Sequence, residues 1–84
     1  MKTYFIIGIR LSTRQHNAME LQTILTKFGC NIKTRLGLHD ASETHCASDG
    51  LIILQACGDD ETIKDMLHQL HEIDGIRAQV MDLN

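Results

Sequence analysis

At 84 residues the chain holds one domain and little more, and a domain this short buries only about 60% or slightly more of its unfolded surface, so its isolated stability is modest. Hydrophobic residues make up 43% and charged residues 23%, ordinary for a soluble globular protein, and aromatics are confined to Tyr4, Phe5 and Phe28, so the core must be built from Ile and Leu. A formal charge of −3 with no cluster of Lys and Arg argues against a nucleic-acid binder, which needs a basic stripe to displace counterions from phosphate, and against docking on anionic lipid.

Residues 2–11 (KTYFIIGIRL) are β-branched and aromatic and almost continuously apolar, the pattern of a central strand covered on both faces. The segment is too short for a membrane span, Arg10 interrupts it, and it lacks a small-residue cleavage site. Cytoplasm is the expected compartment. The odd set Cys30, Cys46 and Cys57, without paired short spacing, reads as reduced thiols in keeping with that. Ser12 offers a helix cap, with Gln15 completing a capping box. Ala18, Leu21, Ile24, Leu25 and Phe28 then form one apolar stripe, and Gly29 is expected to end the helix in the left-handed conformation.

Residues 31–39 alternate, with Ile32, Thr34, Leu36 and Leu38 assigned to the core and Lys33, Arg35, Gly37 and His39 to the other face. The polar stretch 40–50 (DASETHCASDG) is a loop, and residues 51–57 (LIILQAC) are a second strand apolar on both faces. Gly58, Asp59 and Asp60 supply a turn and a cap. Ile63, Met66, Leu67, Leu70 and Ile73 make the second helical stripe, which Gly75 closes. Residues 76–83 alternate again, with Ile76, Ala78 and Val80 set against Arg77, Gln79 and Met81.

The order β-α-β-β-α-β predicts an α+β, ferredoxin-like fold for a single domain spanning 1–84: a four-stranded antiparallel sheet, strand order 4-1-3-2, with two helices on one face. The helices shield only one side of the sheet. Because both central strands are apolar at both parities, several large aliphatics must remain on the uncovered side, an exposed patch of roughly several hundred Å². Burying each contributes about 1.5–3 kcal/mol, so a homo-dimer or tetramer is expected, packing sheet faces or joining sheet edges.

The runs Lys33-Thr34-Arg35-Leu36-Gly37-Leu38-His39, Asp49-Gly50-Leu51-Ile52-Ile53-Leu54 and Ile73-Asp74-Gly75-Ile76-Arg77-Ala78 resemble the small ACT-like proteins known as iron-only hydrogenase system regulators. The likeness covers nearly the whole chain. These proteins are in turn similar to the ACT regulatory fold and to the C-terminal domain of the nickel-responsive repressor, and the resemblance implies a dimeric or tetrameric sensor. Amino-acid-binding ACT domains carry a glycine in the first strand–helix turn, whereas this turn is Leu11-Ser12-Thr13-Arg14. The repressor's ribbon-helix-helix segment has no counterpart ahead of the first strand, so direct contact with nucleic acid is not expected.

In the repressor, metal ligands come from the end of the second strand and from a cysteine in the following hairpin. His39 and Cys46 fall in comparable places, while a preceding repressor histidine corresponds to Gly37; His45 or a neighbouring subunit would complete the set. Imidazole and thiolate suit transition metals such as Ni, Zn or Fe, so His39, His45 and Cys46 are the candidate metal ligands. Arg10 and Arg14, with His16, cluster at the first strand–helix turn, where cations near a helix N-terminus can hold an anion. Arg35, assigned to the same face as His39, would line a ligand cleft or make inter-subunit ion pairs. The candidate ligand-binding residues are therefore Arg10, Arg14, Arg35 and His39. His68 and His71 flank the second helical stripe and are expected in solvent, and Cys57 is expected to be buried. No nucleophile–base–orienter set, glycine-rich anion loop, C-x-x-C turn or aromatic stacking platform is present in the sequence. The expected function is that of a non-catalytic regulatory or sensor domain that self-associates and binds a small effector or partner protein. The alternative is a transition-metal sensor using the His39–Cys46 region.

Overall fold

The structure, a computed structural model, describes residues 1–12, 18–38 and 49–84. Strand β1 (Lys2–Ser12) leads to helix α1 (Ala18–Lys27), a single 3-10 turn (Gly29–Asn31), β2 (Ile32–Leu38), β3 (Asp49–Gly58), helix α2 (Asp60–His71) and β4 (Ile76–Asp82). The strands form one antiparallel sheet in the order β2-β3-β1-β4. This is the ferredoxin-like βαββαβ fold, with the two doubly apolar strands at its centre.

The core lies between the sheet and the helices. Phe5, Ile7, Ile9 and Leu11 of β1, Leu54 and Ala56 of β3, and Ile76 and Ala78 of β4 meet Leu21, Leu25, Ile63, Met66 and Leu70 from the helices, with Phe28 and Ile73 closing its ends. Val80, in alternation with the buried Ile76 and Ala78, is 41% exposed, because it lies on the edge strand towards the end of the sheet. No polar side chain is buried among the described residues.

Helix α2 begins where the sequence indicates. Asp59 holds extended backbone (φ −88°, ψ 168°), and its carboxylate accepts the Thr62 N–H at 2.8 Å, satisfying one of the donors a helix start leaves free. Asp60 and Glu61 follow in the first turn, the end of the helix dipole that favours negative charge. Asp60 also receives Lys2 Nζ at 3.0 and 3.1 Å, tying the start of β1 to the start of α2. Gly75 (φ 83°) turns the chain into β4. Gly58 (φ 144°) is confined as well as bent, since a Cβ there would stand 2.9 Å from Asn31 Nδ2. That nitrogen donates to the Cys57 carbonyl at 2.9 Å and binds the 3-10 turn to the end of β3.

Three local expectations are corrected. Gly29 is not left-handed: among the described glycines only Gly58 and Gly75 have positive φ. The chain stays wound past α1 because Phe28 must keep its ring in the core, and Asn31 N–H donates to the Phe28 carbonyl at 2.8 Å to close the 3-10 turn. Ser12 belongs to β1, opposite Asp49, and its N–H donates to Gly75 O at 2.9 Å; Gln15, its expected capping partner, lies outside the described residues.

The third correction governs the rest of the molecule. Ile32 pairs with Ala56, but Thr34 pairs with Gln55, so two steps on β2 match one step on β3. Lys33 is the extra residue of a β-bulge, and a bulge reverses the side to which the remaining residues of its strand point. Ile32 packs on the helical core, whereas Thr34 and Leu36, expected beside it, share the opposite face with Gln55 and Ile53.

Hydrogen bonds from Thr62, side chain first and backbone second, hold the Asp59 carboxyl below its ordinary value of 3.8. A group whose pKa falls on folding stabilises the fold above its unfolded value, and the contribution is lost as pH drops through the folded value. The melting temperature should therefore fall between about pH 5 and about pH 2 by more in the wild type than in Asp59→Asn, whose amide oxygen still caps the helix but does not titrate in that range. Equal acid slopes in the two proteins, measured by circular dichroism, would show that this cap carries no pH-dependent stability.

Candidate functional site

In an antiparallel sheet, residues directly opposite one another share a face, so the pairing register reads out the surface away from the helices as a grid. One row across β2, β3, β1 and β4 is Thr34, Gln55, Ile6 and Met81. The next is Leu36, Ile53, Gly8 and Gln79, and the third is Leu38, Leu51, Arg10 and Arg77. Asp49 holds a position one row further out, opposite Ser12.

Most of this grid is apolar. Leu36 is 52% exposed, Leu51 42% and Met81 57%, while Ile6 and Ile53 are half-buried only by their neighbours in the sheet. The polar members are placed at the margins or engaged. Gln55 Nε2 donates to the Thr3 carbonyl at 2.9 Å, beside the irregularity between Lys2 and Phe5 where the β1–β3 register shifts. Gly8 sits at the centre of the grid on a central strand. A Cβ at Gly8 would meet nothing within 4 Å, and a depression of about 410 Å³ lies over it, lined by Ile6, Ile53, Gln79, Val80 and Met81.

The bulge at Lys33 enlarges this surface. It brings Leu36 beside Ile53, where a regular strand would have directed it at the helices. The same reversal moves Arg35. It stands opposite Leu54 on the helix side, and its Nη1 donates to Gln22 Oε1 of α1 at 3.0 Å. Arg10 is exposed on the opposite face, between Leu51 and Arg77. The candidate ligand-binding set is thus split: Arg10 and Arg35 lie on opposite faces of the sheet, while Arg14 and His39 lie outside the described residues, as do the candidate metal ligands His39, His45 and Cys46. Among the described residues no three His, Cys, Asp or Glu side chains gather as a metal site.

The remaining candidates are tied into the fold. His68 Nε2 lies 2.8 Å from Glu72 Oε1, a pairing one turn apart on an exposed helix face. His71 Nε2 donates to the Ala78 carbonyl at 2.7 Å, fastening the last turn of α2 to β4. Cys57 is buried with its Sγ 4.0 Å from the Cys30 carbonyl, and Cys30 is exposed.

Sequence reasoning missed Gly8, Arg77 and the outward turn of Leu36. A glycine inside a run of β-branched residues was an available signal, because glycine weakens a strand and marks a place where something approaches the backbone closely.

No protein-family model matches the chain, and no curated protein matches it. Among solved structures it is similar over the full length of both chains to an uncharacterized protein of Thermotoga maritima, with 24% identity and a TM-score of 0.86. An unknown protein from Galdieria sulphuraria matches 98% of this chain and 45% of its own at 12% identity and a TM-score of 0.60. A formyltetrahydrofolate deformylase from Pseudomonas putida matches 92% of this chain and 28% of its own, with 8% identity and a TM-score of 0.57. These likenesses establish the fold.

The reversed face of β2 makes a direct prediction. Nuclear Overhauser spectra should connect the Leu36 methyls to Ile53 and the Ile32 methyls to the helical core. Contacts from Leu36 to Leu21 or Leu25 would contradict the bulge.

Proposed function

We propose that this chain is a non-catalytic regulatory or sensor domain of the cytoplasm that works as a homo-oligomer, two copies meeting across their open sheet faces, and that it answers to a small effector or partner protein. One observation carries the reading: the sheet surface away from the helices is centred on aliphatic side chains that the protomer leaves exposed.

Four strands at about 4.8 Å spacing, seven to eleven residues long at about 3.3 Å per residue, give a face of roughly 550 Å². That approaches the ~800 Å² each partner contributes to a standard stable interface. A two-fold pair brings about eight large aliphatics together, each already about half-covered, so the gross gain is about 6–12 kcal/mol. Association costs about 4–15 kcal/mol in lost freedom, so the expected pair is closer to micromolar than to nanomolar. A sheet face also suits an isologous contact, because each aliphatic patch meets its own copy.

The described polar groups support a non-catalytic role through what they do. Asp59 caps α2, Lys2 and Asp60 join its start to β1, Lys27 Nζ donates to Gln69 Oε1 at 3.0 Å between the helices, and His71 holds β4. Each serves the framework, and they do not converge on a common point.

Light scattering at tens of micromolar should give at least twice the protomer mass. Ile53→Glu, which places a charge at the centre of the face, should return the mass to that of the protomer while leaving the circular dichroism spectrum unchanged. A wild-type protomer mass at that concentration would refute the association.

A further inference from the structure

Strand β4 has a free edge whose hydrogen-bonding groups follow from the ladder. Ser12 N–H donates to Gly75 O and Leu83 N–H to Tyr4 O, each 2.9 Å, so the odd-numbered residues of β4 carry the bonds to β1. The even-numbered ones, Ile76, Ala78, Val80 and Asp82, turn their N–H and C=O groups away from the sheet. Near α2 two of these groups are occupied: Ile76 N–H donates to Ile73 O at 3.3 Å, and Ala78 O accepts from His71 Nε2 at 2.7 Å. Further along, the backbone groups of Val80 and Asp82 have no partner among the described residues, and both residues are exposed. Such a row is a template for another strand. The edge at β2 is interrupted by the bulge at Lys33, a common protection, whereas β4 pairs with β1 in unbroken register from Ile76 to Asp82.

We infer that β4 pairs antiparallel with the β4 of a second copy, in the register that sets Met81 opposite the partner's Met81. The inference rests on the preceding reading of the open face as a self-contact and adds a second contact, which joins two such pairs into four copies. Three two-fold registers use the free groups, and the edge itself selects among them. Centred on Val80, the pairing aims Asp82 N–H at the partner's Ala78 carbonyl, which His71 already fills. Centred on Asp82, it sets two carboxylates directly opposite, and like charges there repel. Centred on Met81, it matches Val80 with the partner's Asp82 in both directions, which makes four hydrogen bonds. The ladder then stops by itself. The next position would pair Ala78 with the partner's Asn84, but His71 holds the Ala78 carbonyl and Asn84 N–H donates to Asp82 Oδ1 at 2.9 Å. The two Met81 side chains meet on the open face, so two apolar faces become one continuous surface. Four hydrogen bonds exchanged with water hold two lone protomers poorly. Two face-stacked pairs form two such contacts for one loss of freedom, so the edge closes after the face.

Sedimentation of the wild type at rising concentration should pass from two protomer masses to four. Amide exchange on the same samples reads the edge directly. The Val80 and Asp82 amides should slow by about tenfold at about ten times the dissociation constant of the four-copy state, while Gln79 and Met81, bonded to β1, exchange slowly throughout. Val80→Pro removes only an outward N–H, a place where an edge strand accepts proline, and should stop at two masses with an unchanged circular dichroism spectrum. Val80 and Asp82 amides that exchange equally fast in protomer and assembly overturn the edge contact alone, as does a folded Val80→Pro that still reaches four masses. Slowed amides at a doubled mass in Ile53→Glu would uphold the edge and overturn the face contact. A wild type of protomer mass at every concentration overturns both.

Discussion

A four-stranded sheet has two faces, and two helices of ten and twelve residues cover one of them. Everything distinctive about this protein follows from how its sequence treats the other. Phe5, Ile7, Ile9 and Leu54 fill the space beneath the helices, and the residues between them in sequence must go to the far side. In a sheet with a wet face those alternate positions would be polar. Here they include Ile6, Leu51 and Ile53, which the protomer covers only in part and which gain further from being covered.

The fold itself was legible because its signals are local and agree with one another. The continuous apolar runs of β1 and β3 announced the central strands, the three- and four-residue stripes announced the helices, and Asp59 marked the start of α2; Gly75, expected to close that helix, instead turns the chain into β4, since α2 ends at His71. The order of strands then followed from connection rules that leave few alternatives. Gly29 was misread because glycine after a helical stripe fits either a left-handed cap or a tightened turn. The choice fell to Phe28, whose burial is a tertiary matter.

The face of β2 was not legible, and the cause is a single residue. Alternation over Ile32, Thr34, Leu36 and Leu38 is a valid strand pattern, but an inserted residue at Lys33 changes no composition and leaves the period intact on either side. The error then spread: it placed Arg35 on the open face with His39, when its guanidinium reaches α1 on the helix side. Gly8 was overlooked for a different reason. Its meaning lies in what is absent around it, and only the register that puts Ile53 and Gln79 beside it shows that the space is empty.

The account stands on the open face being covered in solution, and the most direct measurement compares methyl groups within one molecule. A soluble gadolinium complex relaxes methyls in proportion to their exposure. At high protein concentration the Met81 and Leu51 methyls should be protected, on dilution they should become exposed, and Met19, 83% exposed on α1, should be relaxed throughout. If Met81 and Met19 relax alike at every concentration, the open face stays in water and the proposal of an assembled sensor is wrong.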